Sequence, residues 1–267
     1  MYPKLTILMP VLEIDKFLSV AIDSLKKQTF EDYECYILTG NLKDSETSKL
    51  NSFISNDLRF SIHNLSLKGI AFALNYGLNI TKSKYLARMD ADDISHPLRL
   101  EKQIDFLEKN PGYVVVGCRV ELVNNEGYPI NHVFKFFEND FEIRRALKFR
   151  NPMCHPALIF RTETIMENKG YLYGNNCEDH ELFLRMARNP KSKFKNLSDC
   201  LLSYRRHDNQ LTDIKYAKKA YANIAGFMIT EFLLTLNITY LIGVFAYHPI
   251  LRKIRLILKR KNSKKIL

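Results

Sequence analysis

Apolar runs alternate along the chain with segments whose apolar positions recur at helical spacing. Residues 5–9 form a short apolar run ended by Pro10, which indicates a buried strand. The same patterns predict strands at residues 34–39, 59–62 and 84–89, and helices at residues 17–27, 44–54 and 69–80. Strands that alternate with helices are typical of a parallel sheet with helices on its faces. We therefore predict an α/β fold with a mostly parallel central sheet.

The strand predicted at residues 84–89 leads directly into the aspartates Asp90, Asp92 and Asp93. We expect a helix directly behind them, with Pro97 in its first turn. Ligands of open α/β sheets bind at the carboxyl ends of strands. Adjacent carboxylates repel each other, and Mg²⁺ or Mn²⁺ bound between Asp90 and Asp92 would remove that cost. The alternative is that Asp92 or Asp93 only caps the following helix.

Further along the chain, residues 113–123 are strand-like, and residues 140–149 and 178–187 are helix-like. Glu178 and Asp179 open the last of these helices. Carboxylates at a helix N-terminus are favoured by the helix dipole, and a carboxylate placed there also suits a general base. The pair alone supports either interpretation.

A short segment, Tyr204 to His207, follows another apolar stretch and contains two arginines and a histidine. Arginine suits phosphate oxygens, and a neutral imidazole is a good metal ligand. Taken alone, the segment is interpreted more simply as a solvated turn.

The formal net charge of +11 over 267 residues is unevenly distributed. No acidic residue follows Glu231, whereas eight lysines and arginines lie between residues 252 and 265. The basic character belongs mostly to the C-terminus and does not indicate nucleic-acid binding, since the main domain lacks a basic face interleaved with aromatic residues. Five widely spaced cysteines without a CxxC pair indicate free thiols in a reducing cytoplasm.

The segment at residues 232–251 has no formal charge when His248 is counted as neutral. Its length approaches the ~20 residues of a membrane span, but Asn237, Gly243 and Pro249 dilute its apolar character. Three interpretations are open: association with a membrane surface through the basic run, a helix packed on the main domain with a frayed tail, and a membrane span. We expect surface association, because basic segments are attracted to anionic lipid.

Five segments resemble, in the expected order, the inverting GT-A glycosyltransferases of family 2. They are LTILMPVLEIDKFLSVAIDSLKKQTFEDYE, KGIAFALNYGLNITKSKYLARMDADDISHPLRLEKQIDFLEKNP, MCHPALIFR, EDHELFLRM and LLSYRRH. The resemblance implies a GT-A fold, with a Rossmann-like sheet, over residues 1–210 and a helical basic extension over residues 211–267. Within the family, the chain is similar to bacterial enzymes that build O-antigen or capsule, including β-1,3-galactosyltransferases.

The resemblance also implies roles for individual residues. Asp179 matches the catalytic base, with Glu178 as its neighbour. Asp92 would bind the metal directly, Asp90 would lie near the metal, ribose and diphosphate, and His207 would complete the coordination. Contacts with the nucleotide-sugar are implied for Pro10, Val11, Glu13, Thr39, Asn75, Arg88, Asp90 and Ala91.

The chain departs from the family after the second predicted strand. Where many members have two acids, of which an aspartate contacts the uracil, the segment LTGNLKD has Thr39 and Gly40. Glu13, where many members have asparagine, is a smaller departure. Uracil recognition would then use Thr39, backbone groups or other residues.

The function implied by the resemblance is transfer of a sugar, with galactose favoured, from a UDP-sugar to a hydroxyl of a glycan acceptor. It implies Mn²⁺ or Mg²⁺ as cofactor, a β-linkage made in lipopolysaccharide or capsule synthesis, and an acceptor that is often lipid-linked. It places the protein in the cytoplasm, peripheral on the cytoplasmic face of the inner membrane.

Other function classes are weighed against the same residues. A sugar nucleotidyltransferase would want a glycine-rich phosphate loop, which residues 10–17 lack. The absence of G-x-G-x-x-G, P-loop and G-x-S-x-G motifs weakens dehydrogenase, NTPase and serine-hydrolase interpretations. A non-catalytic nucleotide- or glycan-binding module stays open, although the presence of both Asp92 and Asp179 speaks against it.

Overall fold

Strands and helices alternate along the first part of the chain, as the apolar pattern predicts. The structure is a computed structural model and describes residues 2–130, 135–172, 177–206 and 217–248. The strands are β1 (Leu5–Val11), β2 (Tyr33–Gly40), β3 (Phe60–Leu65), β4 (Tyr85–Arg88), β5 (Ile94–Ser95), β6 (Tyr113–Val123), β7 (Ile159–Arg161) and β8 (Lys193–Arg205). The α-helices are α1 (Lys16–Lys26), α2 (Asp44–Ile54), α3 (Ile70–Ile80), α4 (Arg99–Lys109), α5 (Asp140–Leu147), α6 (Thr162–Glu167), α7 (Glu178–Met186), α8 (Ala217–Thr235) and α9 (Thr239–Tyr247).

All the strands of the described residues belong to one sheet, in the order β3-β2-β1-β4-β7-β6-β8-β5. The strands β3, β2, β1 and β4 are parallel, and β8 is parallel to β6. The strands β7 and β5 run antiparallel to their neighbours. The prediction of a mostly parallel sheet is confirmed. Because β1 lies between β2 and β4, the carboxyl ends of these three strands meet at one edge of the sheet.

Helices cover both faces of the sheet, so that every residue of β1 is buried. Leu8 packs into an apolar cluster with residues of α3, α7 and α8. Ile7 and Met9 point to the opposite face and pack with residues of α1 and α4. Alternate residues of a strand face opposite sides, and a strand buried on both sides therefore has the continuous apolar run seen at residues 5–9.

The long strand β8 changes register against β6 near its middle. Cys118 pairs with Leu197, whereas Val120 pairs with Leu202. The extra residues on β8 form a bulge, which bends a strand and re-aims the side chains beyond it. Beyond the bulge, β8 also pairs with β5 and continues to Arg205.

The predicted helix is present as α4, but its predicted start is wrong, because the segment directly behind the three aspartates is a strand. This segment forms β5, which pairs with β8, and α4 begins only at Arg99. Pro97 therefore precedes the helix. Neither Asp92 nor Asp93 caps α4, whose N-cap residue is Leu98 without a capping side chain. Pairing with β8, far along the chain, overrides the local helix signal.

The helices α8 and α9 pack against the rest of the chain. Met228 is fully buried in the cluster that also contains residues of α7. The buried Glu231 of α8 forms an ion pair with Arg188, just beyond the end of α7. Among the described residues, no helix is long and apolar enough to cross a membrane. The predicted boundary between residues 210 and 211, and the basic run, lie outside the described residues.

We expect alanine substitutions at two helical glycines, Gly77 and Gly226, to change stability in opposite directions. A methyl group at Gly77 would lie 2.6 Å from a methyl carbon of Leu8, whereas nothing lies within 4 Å of one at Gly226. Alanine stabilises a helix interior by about 0.8–1 kcal/mol relative to glycine, and overpacking a core costs about 1–3 kcal/mol. In urea denaturation, Gly226→Ala should raise the free energy of unfolding and Gly77→Ala should lower it by about 1 kcal/mol. Equal effects would contradict the close packing of α3 on β1.

Candidate active site

Three carboxylates lie together at the carboxyl end of β4. Asp90, Asp92 and Asp93 place their oxygen atoms within 4.8 Å of one another. The buried Arg88, the last residue of β4, forms an ion pair with Asp90, with Nη2 2.5 Å from Oδ1. The same guanidinium donates a hydrogen bond to the carbonyl of Met89. Arg88 thus fixes the first carboxylate of the cluster at the strand end.

Asp93 is the buried member of the cluster, with 1% of its surface exposed. Its Oδ1 accepts a hydrogen bond from the backbone N–H of Arg205 at 2.9 Å. Its Oδ2 is buried and has no hydrogen-bond partner among the described residues. Burial, and then the charges of Asp90 and Asp92, raise the pKa of Asp93 well above its ordinary value. An ionised carboxylate here is therefore unfavourable unless a cation lies close by.

Arg205, at the end of β8, connects the aspartate loop to the turn that follows β6. Its guanidinium donates hydrogen bonds to the carbonyl oxygens of Asp92, Asn124 and Asn125, at 2.8 to 2.9 Å. The guanidinium carbon also lies 4.6 Å from the ring centroid of Phe17 in α1. Together with its N–H bond to Asp93, these contacts make Arg205 the residue that positions the aspartate loop against β8.

A second acidic pair, Glu178 and Asp179, opens α7. Asp179 accepts a hydrogen bond from the Asn151 side chain at 2.7 Å and another from the backbone N–H of His180 at 2.7 Å. Burial raises the pKa of Asp179, and these hydrogen bonds oppose the rise. Burial, followed by the charge of Asp179, raises the pKa of Glu178 to about 7. Glu178 can therefore exchange a proton near neutral pH, and Asp179 is held in place by an amide.

The acidic pair and the aspartate cluster belong to one electrostatic site. Besides burial, the charge of Asp90 raises the pKa of Glu178. The charge of Arg88 lowers the pKa of both Glu178 and Asp179. The structure therefore brings Asp90, a predicted metal ligand, close to the acidic pair that contains the predicted base, about 90 residues further along the chain.

A cleft lies at the carboxyl ends of β1 and β2, the strands next to β4 in the sheet. Its lining includes the predicted residues Pro10, Val11 and Thr39, together with Gly40, Lys68 and Gly69. A methyl group added to Gly40 would lie 3.0 Å from the Lys68 side chain. The cleft is therefore lined by backbone and apolar groups together with the side chain of Lys68.

Two predicted nucleotide contacts have particular surroundings. The single hydroxyl proton of Thr39 is shared between the carbonyl of His63, at 3.4 Å, and the side-chain oxygen of Asn64, at 3.3 Å, and both residues belong to β3. Thr39 is thereby engaged within the sheet. Glu13 is exposed on the loop after β1. Contact of either residue with a nucleotide stays a prediction.

Asn75 and Ala91 also have defined positions, whereas His207 lies outside the described residues. The Asn75 side chain bonds both the carbonyl and the N–H of Tyr171, at 2.7 and 2.8 Å. The hydroxyl of Tyr171 in turn bonds to His155 at 3.0 Å. Ala91 lies partly buried between the aspartates. Asn75 therefore holds the chain ahead of α7, and its contact with a donor stays a prediction.

Comparison with known sequences identifies the family of the chain. Residues 6–168 match the family described as "Glycosyl transferase family 2". The chain belongs to this family. The Escherichia coli "O-antigen biosynthesis glycosyltransferase WbnJ" is 35% identical over 246 residues, which cover 91% of this chain and 94% of that protein. The Escherichia coli "UDP-Gal:alpha-D-GlcNAc-diphosphoundecaprenol beta-1,3-galactosyltransferase" is 33% identical over 195 residues, which cover 70% of this chain and 69% of that protein.

Solved structures show the same fold. The structure of S. aureus TarS 1–349 in complex with UDP-GlcNAc has a TM-score of 0.68 and 17% sequence identity to this family 2 glycosyltransferase. The match covers 86% of this chain and 66% of that one. The predicted family, the GT-A fold and the enzyme class are thus confirmed.

The aspartate cluster of this glycosyltransferase fits a divalent cation. Three carboxylates supply the oxygen atoms that Mg²⁺ and Mn²⁺ prefer. The partnerless Oδ2 of Asp93 and the raised pKa of that carboxyl show that the described residues leave negative charge uncompensated. A cation bound by Asp90 and Asp92 would compensate it.

The roles of two residues of the site, Asn151 and Arg205, could not be predicted from the sequence around them. Asn151 lies just before the family-like segment MCHPALIFR, and Arg205 lies inside LLSYRRH. The sequence distinguishes Arg205 only as one of two arginines that suit phosphate oxygens, and the contacts of both residues could not be predicted because their partners Asp93 and Asp179 are distant along the chain. No sequence signal marks Tyr171.

We expect Asp93→Asn to stabilise the cation-free glycosyltransferase at neutral pH. A carboxyl whose pKa is raised by folding above about 3.9 contributes stability while protonated, and the contribution is lost as the pH rises through the folded pKa. In EDTA, the melting temperature of the wild type should fall as the pH rises from about 4 to neutral pH, and that of the variant should fall less. The amide can still accept the Arg205 N–H.

Calorimetry at several pH values measures this difference. Mn²⁺ should stabilise the wild type more than the variant. Asp105→Asn, which changes an exposed acid, serves as the control. Identical pH profiles for the wild type and Asp93→Asn would show that the buried carboxyl carries no such penalty.

Proposed function

We propose that the chain transfers a sugar from a UDP-sugar to a hydroxyl of a glycan acceptor, with inversion and with a bound divalent cation. The observation that carries the proposal is the shared site of Asp90, Asp92 and Asp179. The charge of Asp90, in the cluster that would hold the cation, acts on Glu178, the neighbour of the proposed base, and a cleft that would take the nucleotide lies at the carboxyl ends of the adjoining strands. An inverting transferase needs these three parts together.

The donor is held, in this proposal, along the carboxyl edge of the sheet. Uracil and ribose would occupy the cleft near Pro10, Val11 and Glu13. Because the Thr39 hydroxyl is engaged with β3, backbone groups around Gly40 would recognise the uracil. The complex of S. aureus TarS with UDP-GlcNAc, a protein of the same fold, supports a UDP-linked donor.

Asp92 and Asp90 would hold Mn²⁺ or Mg²⁺, with His207 as a further ligand. When bound, the cation would neutralise the diphosphate and stabilise the leaving UDP. Arg88 keeps Asp90 in place through their ion pair, and Arg205 keeps the loop of Asp92 in place.

Asp179 acts as the base in the chemical step. It accepts the proton of the acceptor hydroxyl, whose oxygen forms a bond to the anomeric carbon. The bond from that carbon to the UDP oxygen breaks on the opposite face, and its electron pair leaves with UDP. An α-linked donor sugar thus yields a β-linkage. Asn151 orients Asp179, and Glu178, with a pKa of about 7, can stay protonated beside it.

The donor sugar and the acceptor follow from the relatives. The name of the second relative specifies UDP-galactose and a diphosphoundecaprenol-linked acceptor, and that of the first specifies O-antigen biosynthesis. We therefore propose galactose as the transferred sugar, a lipid-linked glycan as the acceptor, and lipopolysaccharide or capsule as the product. The protein would work at the cytoplasmic face of the inner membrane.

Asp179→Asn should reduce transfer from UDP-galactose by about 10²–10⁴-fold, because an amide cannot accept the proton. UDP binding should be unchanged. The measurement is UDP release with a synthetic lipid-diphosphate GlcNAc acceptor, compared among UDP-galactose, UDP-glucose and UDP-GlcNAc. Glu178→Gln is the matched control and should cost less than about tenfold. A larger loss in Glu178→Gln than in Asp179→Asn would reverse the assignment of the base.

Asp92→Ala should abolish the part of UDP affinity that depends on Mn²⁺. Calorimetric titration of UDP with Mn²⁺ and with EDTA measures this part directly. The variant should bind UDP in Mn²⁺ as weakly as the wild type binds it in EDTA. Asp199→Ala removes a half-exposed acid and should behave as the wild type. Full Mn²⁺ dependence in Asp92→Ala would exclude Asp92 as a ligand.

A further inference from the structure

The short helix α9 lies against the elements that hold the proposed base. Residues three, four and seven positions apart share one face of a helix, and Tyr240, Gly243, Val244 and Tyr247 have this spacing. Gly243 is buried, and the other three residues pack against the core cluster that contains residues of α5 and α7. One face of α9 therefore contacts the glycosyltransferase domain beside the helix that carries the base.

Tyr247, at the end of this face, meets the buried ring of His180. Its hydroxyl lies 3.0 Å from Nδ1 and 3.3 Å from Nε2 of that ring. Nε2 lies 2.7 Å from the carbonyl oxygen of Leu147, which can only accept, so Nε2 carries the proton. Burial lowers the pKa of His180 to about 4, and the neutral ring has Nδ1 as its acceptor. The hydrogen bonds therefore run in one direction, from Tyr247 through His180 to Leu147.

His180 connects the helix that carries the base with the segment that orients the base. Its backbone N–H donates to Oδ1 of Asp179 at 2.7 Å. Its ring holds the carbonyl of Leu147, the last residue of α5. Asn151, which follows Leu147 closely along the chain, donates to Oδ2 of Asp179 at 2.7 Å. Both oxygens of the Asp179 carboxylate are therefore held by groups that His180 links together.

The segment that joins α5 to Asn151 also contacts α9. The ammonium group of Lys148 donates a hydrogen bond to the hydroxyl of Thr239, the first residue of α9, at 2.9 Å. The same group lies 5.1 Å from the ring centroid of Tyr240. A methyl group added to Gly243 would overlap the carbonyl oxygen of Lys148, so glycine allows α9 to approach this closely. Both supports of the base therefore rest on α9.

We propose that α9 positions the catalytic base, with Tyr247 and His180 as positioning residues. Neither residue touches a substrate in this proposal, and each acts by fixing Asp179 relative to Asn151. A base must lie within hydrogen-bond reach of the proton that it takes, and a misplacement of about 1 Å can cost about 100-fold in rate. Loss of these contacts should slow the chemical step and leave donor binding unchanged, because neither residue lines the cleft at the ends of β1 and β2.

Two variants at His180 separate hydrogen bonding from packing. His180→Phe keeps an aromatic ring but cannot donate to Leu147, whereas the side-chain amide of His180→Gln can. We expect kcat for transfer from UDP-galactose to fall at least about tenfold in His180→Phe and clearly less in His180→Gln. A residue that only fills space would give the opposite order, because phenylalanine is closer to histidine in shape.

Tyr247→Phe keeps the ring of Tyr247 and removes the hydroxyl that donates to His180. We expect kcat to fall about three- to tenfold, the usual effect of one lost hydrogen bond. Tyr221→Phe is the matched control. It is the same substitution on α8, where the Tyr221 ring contacts His248, and kcat should stay at the wild-type value.

Rates are measured as UDP release, and calorimetric titration of UDP in Mn²⁺ counts the binding sites per chain. We expect the wild-type number of sites and the wild-type KM for UDP-galactose in every variant. A fall in kcat that is matched by a fall in the number of sites would overturn the proposal, because α9 would then only maintain the fold. Wild-type kcat in His180→Phe, or a larger loss in His180→Gln than in His180→Phe, would also overturn it.

The proposal rests on Asp179 as the base of the proposed transfer, and the two can fail separately. Full transfer by Asp179→Asn would overturn the assignment of the base. Nitrogen-15 spectra of the histidines need no substrate and test the positioning contacts alone. In the wild type they should show His180 as the neutral tautomer with the proton on Nε2, and Tyr247→Phe should shift the Nδ1 signal. A proton on Nδ1, or no shift in Tyr247→Phe, would overturn the proposal whatever the donor is.

Discussion

The crowding of three carboxylates at the end of β4 is the constraint on which the site depends. Like charges within 4.8 Å of each other repel, and each of the three aspartates is held by a different contact. Arg88 holds Asp90 from the strand below, a backbone N–H of β8 holds Asp93, and the Arg205 side chain holds the backbone at Asp92. The pairing of β5 with β8 brings Arg205, at the end of β8, to this loop.

Elements set by local pattern could be predicted from the sequence, and elements set by distant partners could not. The parallel strands β1, β2 and β4 could be predicted from the sequence because a strand buried on two faces has a continuous apolar run. The strand β5 is only two residues long and exists because β8 pairs with it. The residues around Asp93 alone therefore could not predict this strand. The acidic residues of the site were visible as charge at a strand end and at a helix start. Asn151 and Arg205, which orient those acids, were not, because hydrogen bonds to distant residues leave no periodicity.

The chain departs from the usual family sequence at the cleft lined by Thr39 and Gly40. The usual acidic turn after the second strand is replaced by Thr39 and Gly40, and Thr39 is engaged with β3. Gly40 allows the close approach of Lys68. Asn75 clamps the backbone of Tyr171 and thereby connects α3 to the segment ahead of α7. The cleft and the helix α7 are thus parts of one packed scaffold.

The register shift in β8 has a consequence for how this chain can vary in length. Side chains of a strand alternate between two faces, so the loss or gain of one residue exchanges the faces of everything beyond it. The shift lies between Leu197 and Leu202, well before Arg205. A single deletion there would turn Arg205 away from the aspartates without touching any residue of the site. The number of residues in this bulge is therefore constrained more tightly than their identity, and paired insertions or deletions are the changes that leave the faces of β8 as they are.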